Sequence, residues 1–542
     1  MTTSARRPPA RLPAAILTAA GLAGIPAALP AQDSGFRENV SVRVMDIDVV
    51  VTDPAGRPVP DLPRDAFQIR VDRRPVDVDY FAAVRDGAVQ RSDFQNLSPD
   101  LVVKPGERER ASVARHFLLW IDDASLAPPR RRKAIGALRE FIGRLAPSDE
   151  ATIVAERSRP ETLVDWTSRR EALLAAVDAL PASGPGGLRR VERERQAIRE
   201  IDLAGRVERQ NRARLYEAEV YAETKKTIED MTDSLALLGD KAGKKVFLVL
   251  SEGFELQPGA AILALAERHA VPSLSFRRDV TPELRRFIDR ANALEATVFT
   301  IDARGLLAPP ADAGNDAPLA ARSLFARQDT ESGLLRMAEE TGGEAILRTN
   351  DVGAALAAIF RDVSTYYSLG VDLKNVAPNA SHRVEVVVSR PGLRVRARRT
   401  YTSEDEEKRV EDRVHATLLT SSSYADLAPV VRMGPSSREG GQTLVTVDVE
   451  VPASDLTFLP DAGHATARAV YYFAAIDEKG ETTPVTRTTQ SYTLAPSETR
   501  GARPLVERVS LRLRRGIYRL VVNVLDPESG RMGTARAPLR VD

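Results

Sequence analysis

The chain has 542 residues, of which 43% are hydrophobic, and it contains no cysteine. Its 77 basic and 76 acidic residues leave a formal net charge of +1, a balance that does not indicate a nucleic-acid-binding protein. The absence of cysteine excludes disulfides, thiol nucleophiles, thiolate zinc sites and a lipid-acceptor cysteine. A chain of this length exceeds a single core and predicts roughly three or four domains.

Residues 1–31 have the order of a secretory signal peptide. Three arginines form a basic start, residues 14–28 are apolar and rich in alanine, and small residues follow up to Ala31. The apolar part is too short for a membrane span of about 20 residues. We therefore expect cleavage after Ala31, no stable membrane insertion afterwards, and a periplasmic or secreted bacterial protein.

Residues 113–367 have the pattern of an α/β domain. Apolar runs at 117–121, 245–250 and 296–301 alternate with amphipathic helical stretches. This alternation predicts a mostly parallel sheet between helices.

Polar side chains follow the first apolar run directly. Asp122, Asp123 and Ser125 stand just past the carboxyl end of a strand that is apolar on both faces. Open α/β sheets bind ligands at that edge, and oxygen ligands suit a hard cation such as Mg²⁺.

The flanking parts are predicted to be β-structure. Residues 36–84 alternate apolar and polar side chains but hold too few strands for a sandwich, and residues 85–112 read as a linker. Strands in 368–402 are expected to complete the N-terminal sandwich, which makes the α/β domain an insertion. Residues 413–542 predict a separate antiparallel β-sandwich.

A long helical tract, residues 187–240, interrupts the α/β pattern and is densely charged between 189 and 214. The charge can indicate a helix that binds a partner or nucleic acid. It can equally belong to a solvated helix with many i,i+4 ion pairs, which is the interpretation we favour.

Seven segments in the same order resemble the von Willebrand factor A domain and, more narrowly, the exported bacterial VWFA-related proteins of the acidobacterial type. They span roughly residues 40–400 and comprise residues 49–59, 62–67, the strand ending at Asp122–Asp123, 244–254, 298–305, 338–343 and 366–370. The resemblance implies an A-domain fold and protein recognition through a metal-ion-dependent adhesion site.

The adhesion motif of that family, Asp-x-Ser-x-Ser, is degenerate in this chain. Counted from Asp122, both serine positions are lost, and counted from Asp123 only Ser125 remains. The loop expected to supply a threonine is Gly-Gly-Leu, and Glu252 stands where the family has an aspartate.

The metal positions that the resemblance implies are therefore Asp122, Asp123, Ser125 and Glu252. The candidate cofactor is Mg²⁺ or another divalent cation, and the sequence requires none. Alternatively, the two aspartates cap the next segment or form hydrogen bonds at the sheet edge. Asp302 would lie at the same edge, as a ligand or in a salt bridge to an arginine.

The sequence does not predict an enzyme. The five histidines are scattered without metal-ligand spacing, and no nucleophile elbow, Walker loop or dinucleotide fingerprint is present. The two glycines of Thr341–Gly342–Gly343 are more typical of a helix end than of a phosphate loop.

The leading hypothesis is an exported, non-catalytic binding protein whose A-like domain recognises a protein partner. The alternative is a purely architectural envelope protein with a vestigial site. A hydrolase using Asp122 or Glu252 as general base is the third hypothesis, and it requires a raised carboxylate pKa and a substrate pocket.

Overall fold

Two antiparallel sheets form the N-terminal part of the computed structural model. The structure describes residues 44–94, 113–157, 159–180, 186–239, 241–267, 278–305, 317–372, 380–402, 406–419, 423–439, 442–461, 463–478, 482–501 and 503–541. The expected signal peptide lies outside these residues. The first strands are β1 (Val44–Thr52), β2 (Phe67–Val71), β3 (Arg74–Val76), β4 (Tyr80–Arg85) and β5 (Ala88–Phe94).

The α/β part follows, with a six-stranded sheet between two layers of helices. Its elements are β6 (Arg115–Ile121), α1 (Pro128–Arg144), β7 (Glu150–Glu156), β8 (Pro160–Thr167), α2 (Arg170–Asp178), α3 (Gly186–Leu203), α4 (Arg206–Ser234), β9 (Lys244–Ser251), α5 (Ala260–Glu267), α6 (Thr281–Ala293), β10 (Ala296–Asp302), α7 (Ala317–Glu340), β11 (Ala345–Ile346) and α8 (Val352–Ser364). The strand order is β11-β10-β9-β6-β7-β8, parallel except for β8.

Burial on both faces of this sheet explains its apolar strands. Phe117 and Leu119 point into the core shared with α1, α2 and α8, whereas Leu118 and Trp120 point into the core shared with α4 and α6. All seven residues of β6 are buried. The fold is thus mixed α/β, with one largely parallel sheet and several antiparallel ones.

Four strands after the α/β part return to the N-terminal sheets. They are β12 (Tyr366–Asp372), β13 (Ser381–Val388), β14 (Arg394–Ala397) and β15 (Thr400–Thr402). The sheet orders are β14-β1-β12-β4-β5 and β15-β13-β2-β3. Strand β1 therefore pairs with two strands that follow it by more than 300 residues, and the α/β part is inserted between β5 and β12.

The C-terminal part is a helix followed by two antiparallel sheets. Its elements are α9 (Glu406–Leu419), β16 (Val430–Glu439), β17 (Gln442–Pro452), β18 (Leu459–Asp461), β19 (His464–Asp477), β20 (Thr486–Leu494), β21 (Pro504–Leu513), β22 (Gly516–Leu525) and β23 (Met532–Val541). The sheets are β16-β17-β21 and β18-β19-β22-β23, with β20 also paired to β19.

Three predicted boundaries are corrected. The predicted linker at 85–112 begins with strand β5, because Asp86 and Gly87, both with positive φ, form a hairpin turn after β4. Its remainder, 95–112, lies outside the described residues. The tract at 187–240 is two helices, interrupted at Ala204–Gly205, and the predicted start at 413 falls within α9.

Among the described residues, no helix combines the length and the hydrophobicity needed to cross a bilayer.

Candidate functional site

The candidate site lies where β6 and β9 end side by side. The two strands pair in register, with Ile121 opposite Leu250, and the backbone N–H of Asp122 donates to the Leu250 carbonyl at 2.9 Å. The residues that follow both strands are consequently neighbours at the carboxyl edge of the sheet.

Asp122 is buried and held by hydroxyl and amide donors. Ser251 Oγ donates to Oδ2 at 2.5 Å, and the Ser125 N–H donates to Oδ1 at 3.2 Å. Burial raises the pKa of the Asp122 carboxyl, and these hydrogen bonds oppose the rise. Ser251 was missed by the sequence reasoning, although as the residue after Leu250 it is the register neighbour of Asp122.

Ser125 joins the two strand ends. Its Oγ donates to the Asp122 carbonyl at 3.2 Å and accepts from the Glu252 N–H at 3.2 Å. The hydroxyl therefore forms hydrogen bonds to the backbone that follows β6 and to the backbone that follows β9.

Asp123 is fully buried in an ion pair with arginines. Its carboxylate binds Arg131 Nε, accepts from Arg131 Nη2 at 3.3 Å, and lies 3.4 Å from Arg157 Nε. Both Asp123 and Arg131 expose no more than 1% of their side chains. A carboxylate paired in this way is neutralised inside the protein.

Glu252 caps helix α1 from outside the helix. Its Oε1 accepts from the Ala127 N–H at 2.7 Å and its Oε2 from Arg130 Nη1 at 2.6 Å. Helix α1 begins with two prolines and has no side-chain cap of its own. The negative charge of Glu252 thus stabilises a helix N-terminus.

Asp302 also lies at this edge and forms a salt bridge. Its carboxylate accepts from Arg304 Nη2 at 2.8 Å and from the Arg304 N–H at 2.9 Å. Of the two alternatives considered for Asp302, the salt bridge is the one observed.

The donor set at the edge does not fit a hard divalent cation. Of the predicted metal positions, Asp123 and Glu252 each face an arginine, which leaves Asp122 as a carboxylate without one in direct contact. Within the described ranges, no group of three or more Asp, Glu or His side chains is arranged to hold a metal ion. Mg²⁺ in proteins usually binds one or two carboxylates and keeps several waters, and here the single remaining carboxylate, that of Asp122, already accepts hydrogen bonds from Ser251 and Ser125.

Helices α3 and α4 build a cavity of about 760 Å³ over Asp122. Asp122, Ser125 and Glu156 line it from the sheet, and Arg190 and Arg193 line it from α3. The positive charge of Arg190 favours the ionised form of Asp122. Arg190 of helix α3 thus supplies positive charge next to Asp122, the first predicted metal position.

Glu156, at the end of β7, is the second carboxyl in the cavity and was not predicted. It is 4% exposed, and its Oε2 has no hydrogen-bond partner. Burial, with smaller contributions from Asp230 and Asp122, raises the pKa of Glu156 to about 8.

No family model matches the chain, and no curated protein matches it. Solved structures that resemble it include an aerotolerance-related membrane protein from Bacteroides fragilis, with 14% identity over 46% of this chain and 98% of that one, and a TM-score of 0.24. The vWF domain of the type V pili tip protein Mfa5 from Porphyromonas gingivalis has 12% identity, coverages of 46% and 94%, and a TM-score of 0.24. A von Willebrand factor type A structure from Catenulispora acidiphila has 11% identity, coverages of 86% and 74%, and a TM-score of 0.22. Similarity this low carries no conclusion about what the chain binds.

Proposed function

We propose that this chain is an exported, non-catalytic binding protein that recognises a protein partner without a bridging metal ion. Recognition takes place at the carboxyl edge of the parallel sheet, in the cavity under α3 and α4. The observation that carries the proposal is the pairing of Asp123 and Glu252 with Arg131 and Arg130, which uses up two of the predicted metal positions.

The cavity supports recognition because its polar groups are of several kinds. The cavity wall combines the carboxyls of Asp122 and Glu156, the guanidinium of Arg190 and the apolar side chains of Val220 and Phe254. Small-molecule sites commonly pair apolar walls with a few placed polar groups, and in protein interfaces an anchoring side chain of the partner fills a pocket of this kind. Arg193 is tied to Glu223 of α4 at 2.5 and 2.8 Å, which holds the two roofing helices together.

The test is isothermal titration of the chain from Gln32 onward with Mg²⁺, Mn²⁺ and Ca²⁺, paired with melting curves. We expect no saturable heat at millimolar metal and an unchanged Tm, since a ligand of the folded state must raise Tm. Saturable binding that is abolished by Asp122→Ala would contradict the metal-independent site.

Partner capture from periplasmic or secreted fractions in the presence of a chelator completes the test. We expect Arg190→Glu to lose the captured protein and Arg139→Glu, on the exposed face of α1, to retain it. Capture that requires divalent metal, or that Arg190→Glu leaves intact, would contradict recognition at this cavity.

The architectural alternative is favoured by the way the inserted part is fixed to the sandwich. Lys244 of β9 pairs with Asp48 of β1, and its ammonium lies 4.9 Å from the ring centroid of Tyr366. A purely architectural protein would keep its assembly contacts when Asp122, Glu156 and Arg190 are all substituted.

The hydrolase alternative requires a raised carboxylate pKa and a cavity, and both are found at the predicted Asp122 and also at Glu156. Glu156 has a raised pKa and faces a cavity, whereas Glu252 is engaged at the start of α1. Hydrolysis that is lost in Glu156→Gln while the Tm does not fall would establish this alternative over the binding protein.

A further inference from the structure

The end of the α3–α4 hairpin carries large apolar side chains that are mostly exposed. Leu203 is 90% exposed, Val207 72% and Leu215 66%, and among the other large apolar side chains whose burial the structure describes none exceeds 49%. We call these three residues, with the chain between them, the hairpin tip. Exposed apolar side chains grouped in this way mark an interaction surface.

The exposed side chains lie on the outer side of a helix pair whose inner side is packed. Ile201 of α3 and Ala213 of α4 are fully buried against Ile262 of α5. Val207 and Leu215 are eight residues apart, about two helical turns, so they share one side of α4 and turn away from Ala213. The described residues of the body of the protein therefore leave this side of α4 uncovered.

The tip is also basic. Between residues 199 and 215 there are five arginines and three acidic residues. Arg212 binds both Glu200 and Glu208, at 2.6 and 2.8 Å, so two of the three carboxylates share one guanidinium. Arg206 and Arg214, next to Val207 and Leu215, are exposed.

We propose that the hairpin tip docks reversibly on an anionic lipid surface. Leu203, Val207 and Leu215 enter the boundary between headgroups and acyl chains, and the neighbouring arginines contact lipid phosphates. Apolar side chains beside arginines on a helix are the combination that holds peripheral proteins at such a surface, and each juxtamembrane arginine adds to the attraction.

The shape of the tip favours lipid over a protein partner. A stable protein interface buries about 800 Å² on each side and needs a broad complementary patch. The end of a two-helix hairpin offers a small group of three apolar side chains instead. A bilayer interface accommodates such side chains one by one, without a shaped pocket. This inference does not depend on the proposed function of the sheet edge.

The test is flotation of the chain from Gln32 onward with phosphatidylglycerol vesicles and with phosphatidylcholine vesicles. We expect binding to the anionic vesicles that weakens with added salt, and much weaker binding to the neutral ones. The triple variant Leu203→Ser, Val207→Ser and Leu215→Ser should lose at least about tenfold in vesicle affinity. The variant Arg206→Ser and Arg214→Ser should lose affinity for the anionic vesicles specifically.

A matched control removes three apolar side chains of intermediate exposure from the C-terminal sandwich. Val430, Leu459 and Ile517 are 48%, 49% and 48% exposed, and their triple serine variant should bind as the wild type does. Absence of vesicle binding by the wild type, or equal loss in both triple variants, would overturn the proposal. Self-association that depends on Leu203 in sedimentation, without vesicle binding, would identify the tip as a contact between copies instead.

Discussion

Three acidic residues at the sheet edge are paired with arginines, which limits their availability for a ligand. Asp123, Glu252 and Asp302 each contact an arginine that follows a strand or begins a helix. The buried pair of Asp123 and Arg131 has no solvent to screen it, so either partner alone would be an uncompensated charge in the interior.

Removing one partner of that buried pair should be costly. Arg131→Met leaves Asp123 buried with only the more distant Arg157, and we expect a loss of about 3–5 kcal/mol in the free energy of unfolding. The measurement is urea denaturation at neutral pH. The control is Arg139→Met, whose pair with Asp178 is about half exposed on both sides and should cost less than about 1 kcal/mol. Similar losses in the two variants would contradict the interior placement of Arg131.

Glu156 should make stability fall as pH rises. Its pKa is raised from 4.5 to about 8 in the folded state, so between these values the unfolded chain is ionised while the folded one keeps its proton. The folded state then binds more protons, and the free energy of unfolding decreases with pH in this window and levels off above it.

The comparison with Glu156→Gln isolates this effect, because the other titrating groups are shared. From pH 4.5 to about 8, the free energy of unfolding of the wild type should fall steadily relative to that of Glu156→Gln. Urea denaturation of both proteins at steps across that window measures it. Parallel pH profiles would show that the Glu156 carboxyl is not buried as described.

At the scale of single residues, the sequence could predict where the acidic side chains lie but not which arginines pair with them. The apolar run before Asp122 placed the acidic residues at the sheet edge. The segment that follows offers three consecutive arginines, Arg130 to Arg132, and only the first turn of α1 determines that Arg131 reaches Asp123 and Arg130 reaches Glu252. Glu156 could have been suspected, since it ends the neighbouring strand β7.

Among the elements, the end of helix α7 shows how closely the chain is packed behind the sheet. The helix ends at Glu340, and Gly342 follows with φ of +82°, as the glycine pair suggested. At Gly343 the requirement is space: a Cβ atom there would lie 1.9 Å from the carbonyl oxygen of Val298 in β10.

Gly343→Ala should therefore displace β10 or β11. We expect a loss of at least about 2 kcal/mol in the free energy of unfolding, because the obstacle is backbone and cannot rotate away. Gly136→Ala, in the middle of α1 with open space around its Cβ position, is the control and should be neutral or stabilising by up to about 1 kcal/mol. Thermal or urea denaturation compares them, and a neutral Gly343→Ala would refute the close approach.

Element boundaries were hardest to predict where local signals are short. Asp86–Gly87 is a hairpin signal of only two residues. The strand after this turn, β5, contains mostly polar side chains and was therefore predicted as part of a linker. The break between α3 and α4 likewise has a short signal, the single glycine Gly205 within a stretch that is otherwise largely helix-forming.

At the scale of the whole molecule, the insertion makes the N-terminal sandwich dependent on distant strands. β1 lies between β12 and β14, and β2 lies between β3 and β13. Alternation within each segment predicted strands, and the shortage of strands in residues 36–84 led us to expect those of residues 368–402 in the same sandwich. Which strand pairs with which across more than 300 residues is a tertiary property that no local pattern specifies.

A chain that ends at residue 365 should keep the α/β part and lose the sandwich. The truncated chain retains β6–β11 but leaves β1 without either neighbour. Amide hydrogen exchange should show protected β6 and unprotected β1, whereas a chain ending at residue 402 should protect both. Protection of β1 in the shorter chain would contradict this dependence.

The two ends of the inserted part meet at one residue of the sandwich. Val113 donates its backbone N–H to the Gly87 carbonyl at 2.8 Å, and the Gly87 N–H donates to the Ser364 carbonyl at 2.9 Å. A mechanical load applied between the start of β1 and the end of β15 would pass through the hydrogen bonds of the sandwich and bypass the α/β part. The sheet-edge cavity would keep its geometry under tension until the sandwich ruptures.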